Sequence, residues 1–289
     1  MSLVVFGSAN ADLLFRLPRL PAPGETVLGD AGAAMPGGKG LNQAIAAARA
    51  GAVVQFAGCI GADANGAMLR AALLTAGVGT DMLLEVPAPT GMAAVLVDPN
   101  GQNQIAVSTG ANACAAPSQV PDEALLPGGA LLLQMEVPPA ANAALIARAR
   151  RRGVRTILNL APATPMPALP DMLILNEPEA AFLATMLGCA GDAVALQATL
   201  GCTVLRTLGP AGAEAATGND AFLVPAFQVI VADSVGAGDA WSGALAAALL
   251  SGAQLAGAMR QANAAGALAC MRPGVHAPSL IEIKSLLKA

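Results

Sequence analysis

The sequence reads as an α/β protein, with a mostly parallel sheet between helices on both of its faces. Short β-branched or aliphatic runs alternate along it with longer alanine-rich segments. The short runs are continuously apolar rather than alternating, as strands covered on both faces must be. Hydrophobic residues make up 55% of the 289, ample for a sizeable core, and much of that share is alanine, a strong helix former. In chain order the strand candidates are Leu3–Phe6, Val53–Ala57, Ala93–Val97, Ala130–Leu133, Arg155–Leu158, Met172–Leu175, Thr203–Leu205 and Gln228–Val231. The helix candidates are Leu41–Ala50, Gly66–Ala76, Ala140–Arg152, Glu177–Leu187, Asp192–Leu200, Asp239–Leu250 and Leu255–Ala269. Such an alternation builds βαβ units, and their ligands bind at the carboxyl ends of the strands, where loops lead into helices.

Two early segments break this rhythm. Pro18 to Ala34 is rich in Pro and Gly, and Met92 to Val107 holds two strand-like runs joined at Pro99-Asn100-Gly101, a hairpin signal. Together, segments of about 13–34 and 92–108 predict a small β lid inserted in one domain spanning 1–289. No linker, low-complexity tract or internal repeat divides the chain. The uncharged stretch Ala240–Met259 is about as long as a bilayer span. It is dominated by Ala and Gly and interrupted at Ser251-Gly252, so two buried helices explain it better than a membrane segment.

Composition excludes several classes. A net charge of −4, only 15 Lys and Arg, and 2% aromatics leave neither a basic track nor stacking platforms for nucleic acid. Arg148, Arg150, Arg151, Arg152 and Arg155 cluster at the end of a helix candidate, where they complement its dipole and stay solvated. Five scattered cysteines without C-x-x-C spacing suit a reducing cytoplasm better than a disulfide scaffold or zinc site. The opening Met1–Gly7 run is too short for a signal core and lacks a basic flank. A P-loop is absent, because the required first glycine before Lys39 is Ala33. The G-x-G-x-x-G pattern fails at Trp241, and the only histidine, His276, lies in a Pro/Gly-rich loop where solvation is expected.

What chemistry remains sits at loop-to-helix junctions. Gly236-Ala237-Gly238-Asp239 opens an alanine-rich helix; its glycines let the backbone approach an anion, and the first helical N–H groups point at it. Asp239 at the same mouth can take a proton from a hydroxyl, and the helix dipole should keep it ionised and only weakly basic. These four residues read equally well as a tight turn and an ordinary helix start. Pro36-Gly37-Gly38-Lys39-Gly40-Leu41-Asn42-Gln43 is a second glycine-rich helix entry, with Lys39 and Asn42 three residues apart on one face. Asn10 and Asp12 follow the first strand, Glu136 ends the run Leu131–Met135, and Asn176-Glu177-Pro178-Glu179 ends another strand. Each is weak alone, an exposed loop acid or an Asn cap being the common alternative; all share the carboxyl ends of strands.

In order, these segments resemble the ribokinase-like family of sugar and nucleoside kinases along nearly the whole chain. Gly7–Asp12 is similar to the family's opening substrate segment, Gly37–Ala44 to its first signature in the lysine form, and Asp233–Gly243 to its second, D-[ST]-x-G-A-G-D-x-[FW]-x-G. Thr109–Ala113, Gln134–Glu136, Asn176–Glu179 and Thr207–Gly212 are intermediate matches. The resemblance implies a three-layer fold and ATP-dependent phosphorylation of a small sugar's primary hydroxyl, D-ribose foremost. Deoxyribose, a nucleoside or a 2-keto-3-deoxy sugar acid are the alternatives, and a non-catalytic sugar-binding protein is a further one. It implies Asp239 as the base, Gly236, Ala237 and Gly238 as the anion hole, and Asn10, Asp12, Gly38, Lys39, Asn42 and Glu136 around the sugar. Asn176 and Glu179 would organise the phosphates and Mg²⁺, and Thr207, Gly209, Gly212 and Asn263 would contact the nucleotide. K⁺ would lie beside the anion hole, held by Asp233, Ser279 and the carbonyls of Val235, Ala269, Arg272 and Gly274. A homodimer through the lid is also implied. The loop Arg272–Ser279 is one residue longer than the usual one, which bears on Ser279, and Arg206 stands where the family has an aliphatic residue.

Overall fold

The computed structural model describes residues 2–100 and 102–288. The first half runs β1 (Leu3–Phe6), β2 (Asn10–Arg16), β3 (Asp30–Ala31), β4 (Met35–Gly37), α1 (Lys39–Arg49), β5 (Val54–Gly61), α2 (Ala64–Thr75) and β6 (Gly79–Val86). It continues with β7 (Gly91–Val97), β8 (Asn103–Ser108), β9 (Ala130–Leu133), α3 (Pro139–Arg151), β10 (Arg155–Asn159), β11 (Met172–Asn176) and α4 (Glu177–Leu187). The last part holds α5 (Ala193–Leu200), β12 (Thr203–Thr207), β13 (Ala213–Ala216), β14 (Ala221–Val224), α6 (Ala237–Leu250), α7 (Leu255–Cys270) and α8 (Leu280–Leu286). The main sheet has the order β14-β13-β12-β11-β10-β9-β1-β5-β6, parallel from β12 to β6, with β13 and β14 antiparallel at one edge.

Period-two alternation makes this sheet the middle layer. On β1, Val4 and Phe6 face one core with Leu145 of α3, Leu183 of α4 and Leu196 of α5. Leu3 and Val5 face the other, with Leu41 of α1, Leu73 of α2, Leu245 of α6 and Met259 of α7. Fully burying each such leucine or phenylalanine contributes about 1.5–3 kcal/mol. Strand order reverses beside β1, which lies between β5 and β9, and a crevice opens there at the strand ends. Among the described residues no helix is long and apolar enough to cross a membrane; Ala240–Met259 divides between α6 and α7.

A second sheet, β3-β2-β7-β8 with β4 on β2, springs from the same crevice. Its two long neighbours β2 and β7 pair in parallel, and β7 and β8 form the hairpin from Met92↔Ser108 to Val97↔Asn103. The middle of the expected turn, Gly101, lies outside the described residues. Asp98 closes this turn by accepting the N–H groups of Asn100 and Gln102.

Gln228–Val231, expected as a strand, forms no strand and pairs with none among the described residues; beyond β14 it walls a cavity with Gln228, Val229 and Val231. The arginines at the end of α3 are more than solvated dipole partners. Arg148 donates to the carbonyls of Pro117 and Val120, Arg152 donates to that of Leu125, and both pair with Asp122, tying the segment before β9 to α3. Arg206 acquires a role: its Nε donates to Glu214 Oε1 at 2.6 Å across the β12–β13 pair and its Nη1 to Gly191 O at 2.9 Å. His276 is half-buried against Arg272 rather than free in solvent.

Candidate active site

Asp239 lies in the first turn of α6 and is 8% exposed. It is reached by two consecutive residues of α1: Asn42 Nδ2 donates to Oδ2 at 3.0 Å and Gln43 Nε2 to Oδ1 at 2.9 Å. Small residues make this possible. A Cβ on Gly243, one turn further along α6, would stand 2.6 Å from Gln43 O and 2.7 Å from Ala46 Cβ, so only glycine lets α6 settle this closely on α1. Burial raises the Asp239 pKa above its ordinary value, against the opposing pull of Lys39 and the two amide donors, while Glu136 pushes the same way as burial. The expectation that the helix dipole would hold this carboxylate weakly basic is thus reversed: desolvation by burial outweighs the dipole. The Lys39 pKa is raised too, with the opposite consequence for charge. Burial lowers its pKa, but Asp239, Glu136 and Glu179 together raise it, so the ammonium stays charged.

The entry to α1 is built for close approach. Gly38 caps the helix at φ +87°, a left-handed conformation that costs a side chain, and a Cβ there would press on Asn10 N at 2.8 Å. Glu136 Oε2 accepts the Lys39 backbone N–H at 3.0 Å and the Ser8 hydroxyl, joining the ends of β9 and β1 to α1. Asp12 sits on β2 with Oδ1 buried and unpartnered among the described residues. Its pKa is raised to about 7, first by burial and then by the charges of Glu136 and Asp239. Asn10 Oδ1 accepts from Asn112 Nδ2 at 2.7 Å, and Asn112 Oδ1 accepts the Ala9 N–H at 2.9 Å. Asn10, Asn112, Glu136, Val107 and Met135 line a cavity of about 360 Å³.

A second cavity, also about 360 Å³, is lined by Thr207, Gly209, Gly212, Gly238, Trp241 and Asn263. Gly236 turns the chain into α6 at φ +76°, and a Cβ built on Gly238 would meet nothing within 4 Å. Ala237 spends its N–H on Ser234 O at 3.2 Å, which leaves the next amides of the first turn without intrahelical partners. Asn176 and Glu179 form a reciprocal capping box at the start of α4, each side chain accepting the other's N–H at 2.8 Å. Burial raises the Glu179 pKa, opposed by the Asn176 N–H and Lys39 and assisted by Asp239. Asp233 accepts N–H groups from Val235 and Gly274 on separate oxygens, joining the loop before α6 to the loop after α7.

The profile of the pfkB family of carbohydrate kinases matches residues 1–282. The chain belongs to that family. As a pfkB kinase it is an ATP-dependent carbohydrate kinase, and the three-layer fold agrees. It is 35% identical to the ribokinase of Arabidopsis thaliana over 99% of this chain and 80% of that protein. It is 33% identical to the ribokinase of Bacillus subtilis over 99% of both. A crystal structure of ribokinase from Thermotoga maritima superposes with a TM-score of 0.90 at 29% identity, covering 100% of each chain. The structure of Arabidopsis thaliana ribokinase complexed with ribose and ATP superposes at 0.88, with 31% identity over 100% of this chain and 99% of that one.

In this pfkB kinase Asp239, Asn42, Lys39, Glu136 and Asp12 converge, each named from the sequence and each coupled to another of the group by hydrogen bond or charge. Two expected residues are engaged elsewhere. Asn263 accepts the Trp241 indole N–H at 2.7 Å and donates to the carbonyls of Val224 and Pro225, so its amide braces the wall of the second cavity and has no hydrogen left for a nucleotide. Ser279 caps α8, its hydroxyl donating to Glu282 Oε2 at 2.7 Å and accepting the Glu282 N–H, instead of turning toward Asp233. The extra residue in the preceding loop is consistent with that displacement. Gln43, Asn112 and Asn159 were missed as site residues. Gln43 stood inside the first signature but without a partner to assign it to, and Asn159 carried no signal beyond ending a strand.

Proposed function

We propose that this kinase transfers the terminal phosphoryl group of ATP to the primary hydroxyl of D-ribose, giving ribose 5-phosphate and ADP. One observation carries the reading: a buried carboxylate, Asp239, fixed on both oxygens at the helix end whose Gly238 borders the second cavity, and charge-coupled to Asp12 and to Glu136, which lines the first. The ribokinases similar to it over nearly its whole length support ribose as the sugar.

In this reading Asn10, Asp12, Gly38, Lys39, Asn42 and Glu136 hold the sugar hydroxyls. Asp239 takes the proton as the sugar oxygen bonds to the terminal phosphorus and the bond to the ADP oxygen breaks. The amides at Gly236, Gly238 and the start of α6 receive the negative charge of the transferred group, aided by the positive end of the helix. Such transfer depends mostly on position and charge neutralisation, so the base need not be strong. Thr207, Gly209 and Gly212 flank the nucleotide. Asn176 and Glu179 fit a divalent cation, because the capping box engages only Oε2 of Glu179 and leaves Oε1 without a hydrogen-bond partner among the described residues. Bound there, the cation would supply positive charge to the phosphate oxygens. Asp233 with the carbonyls of Val235, Ala269, Arg272 and Gly274 forms a hard-oxygen set suited to K⁺. Ser279 falls outside this set.

The second sheet acts as a lid on a single domain. Ile105 and Val107 on β8, and Leu28 in the segment before β3, stand 58%, 52% and 85% exposed, the apolar face of a homodimer whose mass sedimentation would read as twice the chain's. Unpaired cysteines suit a reducing cytoplasm. ADP release across pentoses, hexoses, nucleosides and keto-sugar acids, with and without K⁺, tests the substrate. D-ribose with K⁺ should give the highest kcat/KM; a higher value for any other acceptor overturns ribose.

The pKa of Asp12 gives this reading a pH signature. Its folded value near 7 lies above the unfolded carboxylate value of 3.8. The folded state therefore holds the extra proton, and its stabilisation is complete below about pH 4 and lost as pH rises to about 7. Sugar hydroxyls donate to the ionised form. Ribose affinity, measured by calorimetry without nucleotide, should weaken on acidification below pH 7, approaching about tenfold per unit. Asp12→Asn should abolish that slope, and an affinity unchanged between pH 5.5 and 8 in the wild type counts against the assignment.

A further inference from the structure

Gln43 is 0% exposed, and every hydrogen-bonding atom of its side chain is used. Its Nε2 donates to Asp239 Oδ1 at 2.9 Å and to Asn159 Oδ1 at 3.0 Å, while its Oε1 accepts from Gln134 Nε2 at 2.8 Å. Those neighbours come from three directions: α6, the end of β10 and the segment following β9. The ionised carboxylate can only accept, so the amide nitrogen must face Asp239 and the oxygen must face Gln134. Gln134 is also 0% exposed and touches no reacting group. A Cβ on Gly7 would stand 1.9 Å from its Oε1, so the turn after β1 is cut back to make room for it.

We propose that Gln43 is a positioning residue for the catalytic base, locked by Gln134 and Asn159 so that Asp239 Oδ1 keeps one orientation throughout turnover. The inference rests on the reading of Asp239 as that base. Asn42 and Gln43 then divide the carboxylate between them, one donor per oxygen, and the remaining lone pairs are left for a sugar hydroxyl. Without Gln43 the carboxylate would pivot about its bond to Asn42, and its charged form would lose a donor where burial already disfavours it. The charged groups facing it are Lys39 from α1, Glu136 beyond β9, Asp12 from β2 and Glu179 from α4, and only Lys39 favours ionisation. Removing an amide donor therefore shifts the balance toward the protonated, inactive form.

The test compares Gln43→Met, close in volume but without donors, and Gln134→Met, which removes the lock without touching Asp239. For Gln43→Met, kcat with ribose and ATP should fall about tenfold to hundredfold, as expected for one hydrogen bond to a charged group. The acid limb of the kcat profile should move to higher pH, with ribose affinity by calorimetry unchanged. Gln134→Met should shift both in the same direction by less. A purely structural role would instead lower the melting temperature and leave kcat per titrated site and the acid limb at wild-type values, which overturns the proposal. Should neither variant fold, a ribose-bound crystal structure of the wild type decides: the proposal stands if Gln43 Nε2 lies within hydrogen-bond distance of Asp239 Oδ1 and falls if it does not. Asp239→Asn is the control. If it stays active the base assignment fails; if it is inactive while folded Gln43→Met is normal, only this inference fails.

Discussion

Asp239→Asn should lower kcat for ribose phosphorylation by about 10²–10⁴-fold, the range assigned to a positioned general base, while ribose still binds. The amide fits the same place. Gln43, fixed by Gln134 and Asn159, obliges the new side chain to present its oxygen on the Oδ1 side. Asn42 can turn its own amide to accept from the new NH₂ group. Hydrogen bonding is then conserved and only the proton-accepting charge is lost. Stability should move in the opposite direction from activity. The Asp239 pKa is raised by burial, so the folded state favours the protonated form. Its contribution is present below the unfolded carboxylate pKa and lost as pH rises through the folded value. Above the folded pKa the wild type therefore carries a buried charge that the variant lacks. Melting curves at several pH values should show Asp239→Asn gaining relative to wild type as pH increases, and ADP release should show it inactive. Near-normal turnover in the variant would remove Asp239 from the chemistry.

The same contrast marks what could be read from the sequence. The Gly236–Asp239 run announced itself because glycine and an acid at a helix start are local choices, set by backbone geometry within a few residues. The charge state of Asp239 was misjudged because burial is not local: it depends on α1 closing over α6 through Gly243, and on Gln43, 196 residues away. Asn159 lies 116 residues from Gln43 and becomes its partner only because β10 lies beside β9 in the sheet. β13 was overlooked for a different reason. Its sequence Ala-Glu-Ala-Ala favours helix, and only pairing with β12 makes it a strand. Gln228–Val231 erred the other way, with strand-like residues on a segment that no neighbour pairs. Where ligand chemistry and local backbone demand coincide, as at Gly38 and Gly236, the site was legible.

Gly238→Ala should cost activity without costing stability, a pairing that few substitutions at a helix start would give. Gly238 has no positive φ and lies within α6, where alanine is preferred over glycine by roughly 0.5–1 kcal/mol. A Cβ there meets no atom within 4 Å, so the fold offers no resistance to it. That open space is the mouth of the cavity where the transferred phosphoryl group is proposed to sit, one residue from Asp239. A methyl group would occupy it. Displacing the phosphorus by about 1 Å from line with the sugar oxygen is enough to slow transfer about 10²-fold. Gly236→Ala provides the comparison: φ +76° and Val275 Cγ1 at 3.0 Å make it strained, so it should lose stability as well as rate. Melting temperature and kcat measured side by side separate the two. A Gly238→Ala enzyme that is as stable as wild type and turns over at the wild-type rate would mean that the phosphoryl group does not pass over this helix end.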